Sequence, residues 1–336
     1  MQKNKIRIAF DVMGSDFAPQ SELKAALGIQ KRFSDTIELI LVGNENTIKD
    51  GLKELGGDSN SFEILHAPDV ITMNDDPTEV IKTKKESSIY KGIEFHKNAK
   101  SDAFVSAGNT GAMLAISTIL LGRIKGVSRP TIGSFFPSNK QRPVLILDVG
   151  ATLEPKARYL YEFAVMGSIY YRQIANIDNP NVGLLNIGEE EIKGTEIVKE
   201  TYHLLKNSNL NFIGNIEGRD IFDAKADVVV CDGFVGNIVL KFAESFLGLL
   251  KSTIKSYSSK SSMNKLKIAL MLPVLKDVLK NLDYENYGGV PLLGVNGVSI
   301  IGHGKSSPVA LENMVLIARD MVSAEINTKI ENALKN

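Results

Sequence analysis

The stretch DAFVSAGNTGAMLAISTIL, residues 102–120, runs from an apolar segment through a loop of small and polar residues into a second apolar segment. Its first part suits a strand covered on both faces and its last part a helix, with Gly108 and Gly111 bracketing Asn109 and Thr110 at the turn. Strand, glycine loop and helix N-terminus in that order begin a βαβ unit. The same rhythm continues in both directions. IRIAFDV (6–12), IELILVG (37–43), FEILHAP (62–68), PVLILDVG (143–150), NVGLLNIG (181–188), LNFIGNIEG (210–218) and ADVVVCDG (226–233) are each short, apolar and closed by a turn residue. Helical patterns separate them; SELKAALGIQKRF, for one, places Ser21 as an N-cap. The chain is therefore expected to be a doubly wound α/β protein, a mainly parallel sheet in a three-layer α/β/α arrangement, forming one unit over 1–336.

Composition narrows the class further. The 336 residues are 43% hydrophobic and 23% charged, with a formal net charge of zero. These are the proportions of a soluble globular protein, and no whole-molecule field draws it to nucleic acid. Cys231 is the single cysteine, so no internal disulfide can form; its place in DVVVCDG reads as a buried strand residue rather than a nucleophile. The N-terminus enters a strand pattern without the apolar core of a signal peptide, and no uninterrupted run reaches the roughly 18 apolar residues of a membrane span. A cytoplasmic location is expected. His66, His96, His203 and His303 are scattered with no ligand spacing, so zinc is not expected; carboxylates at strand ends leave magnesium open.

The rhythm breaks once, between about residues 238 and 283. There two helical patterns are joined by a serine-rich turn, and Ile268, Met271, Leu272, Leu275, Val278, Leu279 and Leu282 share one face of the second. From 251 to 280 there are seven lysines (Lys251, Lys255, Lys260, Lys265, Lys267, Lys276 and Lys280) against Asp277 alone, a net of +6. Such a basic, apolar-edged hairpin suits packing on the core or on a second subunit, or contact with an acidic partner or an anionic membrane.

In open α/β sheets ligands bind at the carboxyl ends of strands. Those ends carry Asp11, Gly14 and Asp16; the SAGNTG loop; Asp148; Asn186 and Lys193; Asn215 and Glu217; and Asp232 and Asn237. Two nucleotide patterns fail on inspection. SIIGHGKS (299–306) has Ser299 where a phosphate loop needs glycine, and GHGKSS has Ser307 where the dinucleotide fingerprint needs its third glycine. ATP and NAD are not expected as cofactors. SAGNTGAMLAISTIL instead offers backbone N–H groups and the positive end of a helix, which together hold an anion without a lysine. Lys82, Lys84 and Lys85 in EVIKTKKESS could add positive charge, or simply form a solvated helix face.

Seven segments, AFDVMGSDFAP, SAGNTGAMLA, LDVGAT, LLNIGEEEIKG, NFIGNIEGRDI, DVVVCDGFVGNIVLK and YGGVPLLGVNGVSIIGHGKSS, resemble in order and spacing the bacterial phosphate acyltransferases of phospholipid synthesis. Two departures are visible: Ser15 stands where that family usually has glycine, and Phe17 where histidine is common. The resemblance implies a fold like phosphotransacetylases and isopropylmalate-type dehydrogenases. It also implies transfer of an acyl group from acyl-[acyl-carrier protein] to inorganic phosphate, a homodimer, and peripheral contact with the inner face of the cell membrane. A membrane glycerol-3-phosphate acyltransferase would receive the product. Phosphate is already nucleophilic and the thioester already activated, so such a reaction rests on positioning and on donors aimed at the developing oxyanion. In that scheme Ser106, Gly108, Asn109, Thr110 and Gly111 hold phosphate. Lys193 and His303 stabilise charge, and Asn215 and Asn237 orient substrate. Asp11, Gly14, Asp16, Lys84, Asp148, Asn186, Glu217 and Asp232 support the site, and Lys265, Lys267, Leu270 and Met271 meet the carrier protein or membrane. The rivals are a phosphotransacylase using a coenzyme A thioester and a non-catalytic membrane scaffold; a metal-dependent dehydrogenase is third.

Overall fold

The computed structural model describes residues 5–140, 142–280 and 288–335, with backbone only for 247, 251 and 275–280. The first half of the chain runs β1 (Ile6–Asp11), α1 (Gln20–Phe33), β2 (Ile37–Gly43), α2 (Glu45–Glu54), β3 (Glu63–His66), α3 (Pro77–Thr83), α4 (Ser88–Lys97), β4 (Ala103–Ser106), α5 (Thr110–Leu120) and β5 (Thr131–Phe136). It continues with β6 (Val144–Leu147), α6 (Ala157–Ala175), β7 (Val182–Leu185), α7 (Glu196–Lys206), β8 (Phe212–Ile216), β9 (Val228–Val230), α8 (Gly233–Ser259), α9 (Ser262–Lys280), β10 (Gly289–Leu293), β11 (Val298–Gly302), α10 (Pro308–Ser323) and α11 (Ile326–Leu334). Where the sequence reading drew one unit, internal contacts gather the chain into two: Met1–Ile132 with Glu285–Asn336, and Gly133–Tyr284.

In the first unit the strands lie in the order β3-β2-β1-β4-β11-β10. All neighbours are parallel except β10, which runs antiparallel to β11 and to the opening residues of β5, Thr131 and Ile132. Ile8, Phe10, Phe104, Val105 and Ile300 are fully buried along its centre. In the second unit the order is β5-β6-β9-β7-β8, with only the β5–β6 pair antiparallel. Leu145, Ile146, Leu147 and Val228 to Val230 form its buried middle. Continuous apolar strands with helices between them are what a parallel sheet covered on both faces requires.

All eight strand segments read from sequence are strands. Three more were not read: β5, where Gly133 and Ser134 interrupt the apolar run, and β10 and β11, which sit among glycines that read as loop. Ser21 is not an N-cap. Helix α1 begins earlier, with Pro19 at its N-cap and the Pro19 carbonyl accepting from Leu23 N–H at 2.9 Å. Elsewhere short polar side chains do cap helices, as Asn44, Asp76, Ser87, Thr195 and Ser307 each accept a backbone N–H of the first turn.

The hairpin expected over 238–283 is present from the start of α8. Its turn is tighter than the serine count suggested, because α8 runs through Ser259 and α9 begins at Ser262, where Ser261 Oγ accepts from Asn264 N–H at 3.1 Å. Residues 281–283, and with them Leu282, lie outside the described residues, as do the side chains of Lys251, Leu275, Lys276, Val278, Leu279 and Lys280. Helix α8 also corrects one expectation. It is long and apolar enough, by length and composition alone, to cross a membrane, although little of it is buried. Scattered lysines and serines break its apolar residues into short runs, which hid this in a search for an unbroken one.

Candidate functional site

Four loops of the first unit meet around the N-terminus of α5. Strand β4 ends in Ser106, whose Oγ donates to Asp11 Oδ2 at 2.6 Å and accepts from Gly108 N–H at 3.0 Å. Asp11 closes β1 and is fully buried; its other oxygen accepts from Met13 N–H at 3.0 Å. Burial raises its carboxyl pKa, against the lowering effect of these hydrogen bonds. Gly14 lies flat against Gly108, and a Cβ there would stand 2.5 Å from Asp11 Oδ2 and 2.9 Å from Gly108 N. Glycine is needed at position 14 so that the two backbones can touch.

Asn109 is the N-cap of α5, and its side chain is fully engaged. Its Oδ1 accepts from Ala112 N–H at 3.0 Å, while Nδ2 donates to the carbonyls of Thr72 at 3.0 Å and Asp75 at 3.2 Å. The side chain expected to donate to phosphate therefore clamps the 72–76 loop onto the helix. Lys84 does related work: Nζ donates to Asp75 Oδ2 at 2.6 Å and to the Val70 carbonyl at 2.9 Å. The Lys84 ammonium lowers the Asp75 carboxyl pKa. Its charge is thus already paired within the loop. The fourth loop arrives through Asp16, whose N–H donates to the Gly304 carbonyl at 2.8 Å. His303 is exposed beside it, with Nδ1 accepting from Lys305 N–H at 3.1 Å.

What this arrangement leaves for an anion is backbone. Thr110 and Gly111 are the first two residues of α5, and their N–H groups have no hydrogen-bond partner among the described residues. Thr110 is exposed at the mouth and Gly111 packs against Pro77 of α3. Two donors at the positive end of an eleven-residue helix make a cradle for a tetrahedral anion, while Gly108 N–H is already given to Ser106 Oγ.

The other expected residues belong to the second unit, in two groups. In the first, the 186–194 loop is folded by its own asparagines. Asn186 Oδ1 accepts from Ile187 N–H at 2.8 Å, and its Nδ2 donates to the Lys193 carbonyl at 3.1 Å. Asn215 Nδ2 donates to the Glu190 carbonyl at 3.0 Å, leaving its buried Oδ1 without a partner. Lys193 is half-exposed, its Nζ 3.9 Å from Glu190. Glu217 caps a short 3-10 turn, pairs with Arg219 at 2.9 Å and so is committed locally.

In the second group, Asp148 follows β6 and packs on the first turn of α8. Its Oδ1 accepts from Gly150 N–H at 2.9 Å and Ala151 N–H at 2.7 Å, while buried Oδ2 closes no hydrogen bond of proper geometry. Burial pushes this carboxyl up to about 6. Asp232 caps α8 through Val235 N–H at 2.8 Å, and exposed Asn237 lies over Gly150. Cys231 is buried between these groups. Burial, then the neighbouring Asp232 and Asp148, push its thiol well above the ordinary value, as expected for a structural residue rather than a nucleophile. Lys265, Lys267, Leu270 and Met271 are exposed on α9, as their proposed contact role requires.

The sequence reading passed over Glu22. It is fully buried in the first turn of α1, next to Ser15 and Asp11. The signal was present: residues 22, 25, 26 and 29 share the face that carries Ala25, Ala26 and Ile29 into the core.

A family model described as "Fatty acid synthesis protein" matches residues 6–329. The phosphate acyltransferase of Dictyoglomus turgidum is 46% identical over 331 residues, covering 98% of both chains. That of Chlorobaculum parvum is 44% identical over 333 residues, covering 97% of this chain and 98% of its own. This chain belongs to the phosphate acyltransferase family. Among solved structures, a phosphotransacetylase from Streptococcus pyogenes superposes with a TM-score of 0.64 at 17% identity, covering 95% of this chain and 94% of its own. The EutD phosphotransacetylase from Staphylococcus aureus gives 0.61 at 17% identity with the same coverage. These two share the fold, a mostly parallel sheet between layers of helices. The seven segments that carry the resemblance to the family thus sit in a chain that matches its members from end to end.

Proposed function

We propose that this family member transfers a fatty acyl group from an acyl-[acyl-carrier protein] thioester to inorganic phosphate, with the N-terminus of α5 holding the phosphate. The observation that carries the reading is the pair of unpartnered N–H groups at Thr110 and Gly111, in a chain related over its full length to phosphate acyltransferases. A phosphate oxygen attacks the thioester carbonyl carbon, the C–S bond breaks, and the sulfur leaves as thiolate and takes a proton from solvent. The products are acyl phosphate and free carrier thiol. Backbone donors suit this task because they hold the ion by its non-attacking oxygens without a lysine to neutralise it. Lys193, Asn215 and Asn237 in the second unit, and His303 in the first, are each a candidate for charge stabilisation or substrate orientation.

Further parts of the reading rest on α8 and α9. Phe234, Ile238, Phe242, Phe246 and Leu249 are all more than half exposed at spacings of three and four. Such a stripe favours a second copy of the chain as its cover, giving a homodimer. Lys265 and Lys267 beside Leu270 and Met271 suit an acidic carrier protein, or transient contact with the inner face of the cell membrane. A cytoplasmic enzyme so placed would hand its product to a membrane glycerol-3-phosphate acyltransferase.

The test is phosphate-dependent release of free thiol from acyl-carrier protein, with the acyl phosphate trapped by hydroxylamine. Thiol release from acyl-coenzyme A but not from the carrier protein would make it a phosphotransacylase of the coenzyme A type. Vesicle binding with no phosphate-dependent thioester loss would leave a scaffold.

A further inference from the structure

Behind the anion loop the first unit buries a second carboxylate that the reaction outlined above does not use. Glu22 has no exposed surface, and neither of its oxygens closes a hydrogen bond of proper geometry, although the hydroxyl and N–H of Ser15 stand beside them. A buried carboxylate without full hydrogen bonding is costly in its charged form, so its protonation state responds to small changes around it. A short relay leads from it to the loop. The buried Glu22 and Asp11 carboxyls repel one another, Asp11 accepts from Ser106 Oγ at 2.6 Å, and Ser106 Oγ accepts from Gly108 N–H. Gly14, on the segment that carries Ser15, rests directly on Gly108.

We propose that Glu22 is a positioning residue of the anion loop: when its carboxyl is protonated the loop binds phosphate well, and when it ionises the added negative charge, acting through Asp11 and Ser106, weakens that hold. The inference rests on the assignment of phosphate to the α5 N-terminus. The pH range is physiological, because burial raises this carboxyl to about 7, opposed by Ser15 and reinforced by Asp11. Among the described residues no ion pair joins it to a cation of the neighbouring elements. Helix α10 brings Glu312, paired with Arg32, and Arg319, over the Phe33 ring, both against the later turns of α1. Helix α2 brings Glu54, bonded to Gln20, and Glu38 of β2 is held by Arg7. Ser15, where the family usually has glycine, supplies a hydroxyl that stabilises the charged form.

The experiment uses sulfate, which keeps its charge between pH 5.5 and 8.5, as a competitive inhibitor against phosphate. For the unaltered enzyme its Ki should rise about three- to tenfold across that range, the size expected of one added charge at intermediate dielectric. Glu22→Gln should hold Ki flat at the low-pH value. Ser15→Gly should move the inflection to higher pH, a shift that a merely structural role would not produce and that stands even if Glu22→Gln fails to fold. A Glu22→Gln profile that tracks the unaltered enzyme, or an unmoved inflection in Ser15→Gly, overturns the inference. Thr110→Asp is the control for the underlying assignment. If it leaves sulfate inhibition unchanged, phosphate does not sit at α5 and both statements fall; if it weakens inhibition while Glu22→Gln changes nothing, only the role of Glu22 falls.

Discussion

Replacing Thr110 with aspartate separates anion binding from helix stability, because the two effects have opposite signs. Position 110 opens α5 and is exposed, so the new carboxylate meets no steric obstacle. For the helix alone it is favourable, since an acidic residue in the first turn contributes about 0.3–1 kcal/mol through the macrodipole. For a phosphate held on the N–H groups of residues 110 and 111 it is adverse. A carboxylate about 5 Å from a dianion costs roughly 1.7 kcal/mol at the dielectric of water and about four times that at an effective value near 20. A partly exposed loop lies between these limits, and about 2 kcal/mol corresponds to roughly a 30-fold rise in KM for phosphate. Steady-state thiol release at varied phosphate, with saturating thioester, gives the number, and thermal melting gives the stability. The expected pair is a KM raised by 10- to 100-fold and a Tm unchanged or slightly higher, with Thr110→Asn within about threefold of the unaltered enzyme. A KM within twofold for Thr110→Asp would refute the assignment of phosphate to this helix end.

Other outcomes follow from the same geometry. Asn109→Ala removes a helix cap and leaves the carbonyls of Thr72 and Asp75 unbonded; about 2 kcal/mol of stability should be lost and KM for phosphate raised, whereas an unchanged Tm would show the clamp to be idle. Asp148 is protonated in the folded state up to about pH 6 and in the unfolded chain only to about 3.8, so its favourable contribution is present below pH 4 and is lost as pH rises through 6. Asp148→Asn should therefore gain stability over the unaltered protein between pH 4 and 7, by at most about 3 kcal/mol, and a Tm difference independent of pH would contradict the burial argument. Cys231→Ala should keep kcat within about threefold while losing about 1 kcal/mol of stability; complete inactivation of a folded variant would revive a covalent mechanism. Reversing Lys265 and Lys267 to glutamate should lower kcat/KM for acyl-carrier protein several-fold and flatten its salt dependence, with no effect on a coenzyme A thioester. Equal effects on both donors would move carrier docking elsewhere.

Much of this molecule can be read locally. Eight strands announce themselves as apolar runs, most of them because both faces are covered, and turn residues follow each one; β11, parallel to β4 but set among glycines, does not. The loop at 106–111 was visible as one of those turns. Asn109 shows where local reading stops. Asparagine before a helix is equally a cap or a free donor, and only the return of residues 72–75 across its amide decides between them. Lys84 is similar, since its partners Asp75 and Val70 lie in a loop whose path no periodicity gives.

The sequence by itself determined the parallel α/β class, the glycine loop at 106–111, the basic hairpin and, through seven ordered segments, the family. These follow from patterns between near neighbours or from motifs in fixed order. Tertiary structure alone decided which polar groups are already paired and which are buried without partners. It committed Asn109 and Lys84 to the clamp, left the N–H groups of Thr110 and Gly111 open, and enclosed Glu22 beside Asp11. Hydrogen-bond satisfaction and desolvation depend on atoms brought together from distant parts of the chain, so no window of sequence contains them.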